Sequence, residues 1–289
     1  MNSYLLALIL GVVEGLTEFL PVSSTAHLRI SEALLGIDLG DGYWKMFSIV
    51  IQLGAILCLP IYFRERIAKF FATFPHGERG DRTALTHPLT LTMIAFVCTA
   101  GPAFLLHKVI GKNLESLVVM GSALVVGGII MWVVDALYSS GTLRHHTDHV
   151  EEMSLGQAVW VGLCQILSAV FPGTSRSMST IAAGQIVRMS RAAALEFSFF
   201  LSIPTMVVAT LYDLLKSMHP HAGEPSVLGQ ITWSAQAWIT LGIGFCVSFV
   251  VAYFVVAWFM NWVRSRGFVP FAVYRIIVGA IVLWWAVKA

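Results

Sequence analysis

Glu14-Gly-Leu-Thr-Glu18-Phe-Leu-Pro-Val-Ser-Ser-Thr-Ala-His27 is the stretch on which the reading of this sequence turns. Two carboxylates, a Ser-Ser-Thr run and a histidine sit in a segment otherwise as apolar as a membrane helix. Residues 3–20 are apolar but hold Glu14 and Glu18, and Pro21 stops them. Residues 25–36 make a second short helix that Gly36 ends. Neither half comfortably reaches the roughly 20 residues a bilayer crossing needs. A re-entrant helix–break–helix hairpin fits better, because irregular backbone at membrane depth is tolerated where it lines a polar cavity.

The rest of the chain supports a lipid setting. Of its 289 residues 57% are hydrophobic and 12% charged. Mean hydropathy is +0.78. Soluble domains carry about 25% charge. The fold class expected is an all-α polytopic membrane protein, one membrane domain over 1–289. Six spans are expected at about 44–63, 89–107, 116–138, 193–214, 236–260 and 268–287. A second broken segment, 156–187, is interrupted at Pro172-Gly173. The connections 64–87, 139–155 and 215–235 read as polar loops, and the Trp residues near 258–262 and 284–285 as interface anchors. The net charge of +2 argues against a nucleic-acid partner. Cys58, Cys98, Cys164 and Cys246 lie singly in apolar runs and read as buried free thiols. No charged n-region precedes Arg29, so a cleavable signal is not expected.

Shifting the chain by 151 residues brings Gly11, Glu14, Pro21 and Ser24 onto Gly162, Gln165, Pro172 and Ser175. Each half, about 1–138 and 156–287, is then one hairpin plus three crossings, which makes the second copy inverted. With the N-terminus on one side, the far side collects Arg64, Arg66, Lys69, Arg79, Arg82, Arg144, Arg188, Arg191, Arg264 and Arg266. The near side holds Lys45, Lys108, Lys112, Lys216 and Lys288. Ten against five makes the far side cytoplasmic, with both termini outside.

Glu14 and Glu18 are one helical turn apart, on one face. Adjacent carboxylates at membrane depth repel unless a cation or a proton lies between them. Their oxygens suit a divalent cation such as Mg²⁺ or Ca²⁺. Ser23, Ser24 and Thr25 can cap the second helix, whose N-terminus also favours an anion. Ser24 or a water reads as the nucleophile, Ser24 being preferred because it lies at the break itself, and His27 as the general base or acid. The second break, Phe171-Pro172-Gly173-Thr174-Ser175-Arg176-Ser177-Met178-Ser179-Thr180, sets an arginine among hydroxyls at a helix start. That is a phosphate cradle in kind, with Gly173, Ser175, Ser177 and Thr180 beside Arg176. Arg144-His145-His146, Asp148 and His149 read as a solvated loop in preference to a metal site. Gln52, Glu196, Asp213 and Arg275 read as supporting partners or helix-bundle glue.

These two motifs resemble the signatures of the bacterial undecaprenyl-diphosphatases of the bacitracin-resistance type. Val50-Ile-Gln-Leu-Gly54, Glu196-Phe-Ser-Phe and Pro270-Phe-Ala-Val-Tyr-Arg275 extend the resemblance over nearly the whole chain. It implies a bacterial inner-membrane enzyme that removes the terminal phosphate of a C55 polyprenyl diphosphate. Its acidic pair would be Glu14 and Glu18, its serines Ser23 and Ser24, its histidine His27 and its phosphate-binding arginine Arg176. Ala26 and Met178 stand where that family usually has glycine, which adds bulk near the proposed phosphate site. Expected partners are the polyprenyl diphosphate lipid and membrane lipids, with a homodimer as an option. The site would open outward. The alternative is an inverted-repeat transporter or flippase for an anionic lipid. A membrane phosphatase of the type-2 phosphatidic-acid kind is set aside, because no histidine follows Arg176 until His219.

Overall fold

A chain that meets lipid must satisfy its backbone hydrogen bonds within its own segments, and helices do so. The computed structural model describes residues 2–38, 41–106, 116–139, 146–218 and 234–288. Among them are eleven α-helices: α1 (Ser3–Thr17), α2 (Ser24–Leu34), α3 (Gly42–Tyr62), α4 (Arg64–Thr73), α5 (Pro88–Leu105), α6 (Leu117–Ser139), α7 (Leu155–Val170), α8 (Arg176–Ile186), α9 (Arg191–Met218), α10 (Ala235–Arg266) and α11 (Val269–Lys288). The only extended pairing among them is a single bridge, Thr147 to Met189.

Six helices, α3, α5, α6, α9, α10 and α11, are long and apolar enough to cross a membrane. They are the six expected spans, with α10 running on to Arg266. Phe104, Phe254 and Trp284 are among the large apolar side chains left exposed, as lipid-facing helices require. Cys246 is exposed on α10, a correction to the expectation of buried thiols: it lies on an outward face of its span. The sequence predicts a polar loop for the connection after α3. That connection carries the short amphipathic helix α4, which buries Phe70 and lays Arg66 over that ring.

The chain divides into two compact units. One contains Met1–Phe19, Ser24–Tyr62 and Ile203–Ala257. Its core joins Leu6, Ala7 and Leu10 of α1 to Leu28, Phe47, Ile51 and Leu241. A Cβ on Gly11 would lie 2.9 Å from the Gly244 carbonyl oxygen, so α1 and α10 meet at backbone distance. The Ser248 hydroxyl donates to the Ile51 carbonyl at 2.7 Å.

The other unit contains Leu20–Ser23, Phe63–Ser202 and Trp258–Ala289. Here α6 packs along α11 and α5 along α7. A Cβ on Gly162 of α7 would fall 2.3 Å from the Ala95 carbonyl oxygen. Thr99 donates to the Gly162 carbonyl at 2.7 Å across the same contact.

One end of this second unit is held by arginines. Arg66 pairs with Glu151 and, at 2.8 Å, with Glu196. Arg191 makes two bonds to Asp135, at 2.8 and 2.9 Å. Asp135, fully buried, also accepts from Gln185 and from the Phe268 N–H. Arg188 meets His146, and Arg82 reaches the Met153 carbonyl. Four arginines assigned to one side by charge, Arg66, Arg82, Arg188 and Arg191, therefore gather at one end; Arg144 and His145 lie outside the described residues, as do Lys108, Lys112 and His219. Glu152 accepts from the Asp148 and His149 N–H groups, and the Asp148 bond leads in holding its carboxyl below the usual range. Burial lowers the His87 imidazole likewise, and its Nδ1 accepts from the Leu89 N–H to cap α5.

Candidate functional site

The first break is built by a proline and an unusual serine. α1 closes with the Glu18 N–H on the Glu14 carbonyl at 2.9 Å. Pro21 has no N–H with which to continue. Ser23 then takes a φ of 73°, turning the chain into α2. Side-chain-bearing residues adopt positive φ at a cost of order 1 kcal/mol or more, so the surroundings must hold it there.

Within the first unit, Glu14 is fully buried and Glu18 nearly so. The Ser24 hydroxyl, at the start of α2, donates to Glu18 Oε2 at 2.7 Å. A carboxylate is thus the group on the Ser24 oxygen. His27, half-buried, lies one turn further along α2, and Thr25 is exposed. Thr17 spends its hydroxyl on the Val13 carbonyl. Sequence reasoning passed over Glu32. It is buried and accepts from Ser48 at 2.8 Å and Arg29 at 3.2 Å, tying α2 to α3.

The second break repeats the device. The Thr174 N–H bonds the Phe171 carbonyl at 3.1 Å. Gly173 has a φ of 95°, and a Cβ there would lie 2.5 Å from the Met120 carbonyl oxygen, so only glycine fits. Ser175 takes a φ of 69° and caps α8 by accepting from the Met178 N–H. Arg176 opens α8, where helix N–H groups and dipole favour an anion. α2 and α8 are both 11 residues long. Ser175 matches Ser23, an offset of 152 residues, where the shift read from sequence pairs it with Ser24. From the proline to the positive-φ serine the second break is one residue longer, because Gly173-Thr174 replaces the single Val22.

Two hydroxyls of the expected cradle serve the scaffold. Ser177 donates to the Leu20 carbonyl at 3.0 Å. Thr180 meets Ser198 Oγ at 2.7 Å and the carbonyls of Arg176 and Ser177. The Ser177 bond joins the second break to the first within the second unit. Arg275 joins them again. Fully buried, it donates to the carbonyls of Pro21 at 2.9 Å, Gly173 at 3.1 Å, Thr174 at 2.9 Å and Ala123 at 3.2 Å. The available signal was an arginine in the middle of an otherwise apolar helix.

The bulk added by Met178 is accommodated beside Gly127 of α6. A Cβ on Gly127 would lie 2.7 Å from Met178 Cε and 2.3 Å from Arg275 Nη2. Ala26 is buried in α2.

Glu14, Glu18 and Ser24 offer an oxygen-only donor set. Among the described residues no group of three or more His, Cys, Asp or Glu side chains gathers to hold a metal. Two carboxylates nonetheless suit Mg²⁺, which keeps several waters and takes further oxygens from a phosphate ligand.

Known proteins supply a comparison. The family model described as bacitracin resistance protein BacA matches residues 7–281. An undecaprenyl-diphosphatase of Koribacter versatilis is 73% identical over 288 residues, 100% of both chains. One of Caldanaerobacter subterraneus is 38% identical over 284 residues, 98% of this chain and 96% of its own. One of Wolinella succinogenes is 40% identical over 279 residues, 96% of each. With that match across the two breaks and all six spans, this chain belongs to the bacitracin resistance protein BacA family.

Proposed function

We propose that this multi-pass membrane protein hydrolyses undecaprenyl diphosphate to undecaprenyl phosphate and inorganic phosphate, recycling the cell-wall lipid carrier and conferring bacitracin resistance. The observation that carries the reading is 73% identity, end to end, with a protein named undecaprenyl-diphosphatase. The hydroxyl–carboxylate pair, Ser24 on Glu18, favours hydrolysis over lipid transport, which needs no such pair.

The chemistry assigned to the residues is as follows. Arg176, the Ser175 hydroxyl and the first turn of α8 bind the diphosphate. Glu18 takes the proton of Ser24 as its oxygen bonds to the terminal phosphorus. The bond from that phosphorus to the bridging oxygen breaks, and polyprenyl phosphate leaves. Water, deprotonated with the help of His27, then attacks that phosphorus; the bond from phosphorus to the Ser24 oxygen breaks, the proton on Glu18 returns to Ser24, and inorganic phosphate leaves. Ser23 and Thr25, next to and within the first turn of α2, are also assigned to substrate binding. Glu14 and Glu18 would hold a divalent cation, which when bound supplies charge neutralisation to the diphosphate. The purified protein in detergent is expected to release phosphate from polyprenyl diphosphate. A chelator is expected to lower the rate at least roughly tenfold, with Mg²⁺ or Ca²⁺ restoring it. Release unaffected by chelation removes the metal role; no release removes the enzyme.

The enzyme is placed in the bacterial cytoplasmic membrane, with both termini and the site facing outward. The arginine-bearing end of the second unit supports this, through the bias of cationic loops to the cytoplasm. A single cysteine at exposed Arg79, in a chain without native thiols, should resist an impermeant maleimide added to intact cells. Rapid labelling would invert the topology.

A further inference from the structure

We infer that Arg275 is the positioning residue of the phosphate site, acting through the main chain of the second break; the inference rests on the phosphate role assigned above to α8. All of its hydrogen-bond partners are main-chain carbonyls, and among the described residues no carboxylate pairs with it. In a trans peptide the C=O of one residue and the N–H of the next point in opposite directions. By holding the Thr174 carbonyl at 2.9 Å, Arg275 therefore turns the Ser175 N–H away from itself. That N–H immediately precedes the first turn of α8 and extends its row of donors toward an anion. The same grip stabilises Ser175 at its φ of 69°, a conformation that persists only where the surroundings over-determine it.

A buried guanidinium balanced only by carbonyl dipoles also leaves positive potential at the breaks, and an anionic substrate completes it. Arginine suits the task because its planar fork reaches three segments at once: the first break, the second break and α6. Lysine is a point donor and cannot. Gly127 keeps room for the fork, since a Cβ would fall 2.3 Å from Nη2.

Two variants test this without removing a cation. Arg275→Lys keeps the charge and loses the fork; Gly127→Ala keeps the arginine and displaces it. Both are expected to purify as monodisperse protein with a lowered melting midpoint. Per folded molecule, kcat should fall at least about 30-fold with KM within about threefold, and inhibition by orthovanadate should weaken about tenfold, as expected for donors acting on the transition state. A merely structural arginine would lower the midpoint and leave kcat unchanged. The proposal is overturned if either folded variant keeps kcat within threefold, or if neither variant folds. Arg176→Ala is measured alongside. Should it also retain full activity, the phosphate role of α8 is what fails; should it alone be inactive, only the positioning role fails.

Discussion

Arg176→Ala is expected to lower kcat/KM for polyprenyl diphosphate by roughly 10³-fold, the size seen when a charged clamp on a transferring phosphoryl group is removed. Arg176 is the first residue of α8, so its guanidinium and the helix N-terminus act on the same region. In the proposed role the guanidinium fork would grip two phosphate oxygens, and at low dielectric its loss would be largest. Ser177 and Thr180 cannot compensate, because their hydroxyls are bonded to Leu20 and Ser198. Arg176→Lys keeps a point charge and should lose only about 10–100-fold, which separates charge from fork geometry. Steady-state phosphate release from both variants is the measurement. A loss below tenfold for the alanine variant would remove Arg176 from the phosphate site.

The second large effect concerns Ser24. Its hydroxyl already donates to Glu18 at 2.7 Å, the ground-state arrangement for a nucleophile and its base. Ser24→Ala is expected to reduce kcat by roughly 10³-fold or more, with no phosphoserine trapped in rapid quench of labelled substrate. Glu18→Gln retains an acceptor for the serine but not a proton acceptor, and should cost roughly 10²–10⁴-fold. If Ser24→Ala stays fully active, water attacks the phosphorus directly and Ser24 only orients Glu18. The two variants share one hydrogen bond, so their effects should combine far less than additively.

Much of this fold was legible in the sequence because lipid imposes length and composition on each span. The breaks were legible for a related reason: Pro21 and Pro172 halt helices amid polar residues that lipid would otherwise exclude. What sequence could not reveal is mostly main-chain business. Every residue carries a carbonyl, so nothing in the residue types announces that Arg275 would take those of Pro21, Gly173 and Thr174. The positive φ of Ser23 and Ser175 escaped for the same reason, since serine gives no sign of it. With that went the one-residue change of register between the breaks. The hydroxyls of the cradle look alike in sequence yet have different neighbours in space, the Leu20 carbonyl for Ser177 and Ser198 for Thr180. α4 escaped because a single buried ring, Phe70, is too short a pattern to stand out among charged residues.

The bond between Arg275 and Pro21 spans 254 residues. The first break leaves the ribosome before α3, α5, α6, α9 and α10, and α11 follows all of them. The ring of contacts around Pro21 thus closes only when α11 has entered the membrane. Biosynthesis sets the order: a nascent chain carrying Glu14, Ser24 and even Arg176 still lacks the residue that secures both breaks. The site is therefore secured only after the five spans that precede α11 have been made.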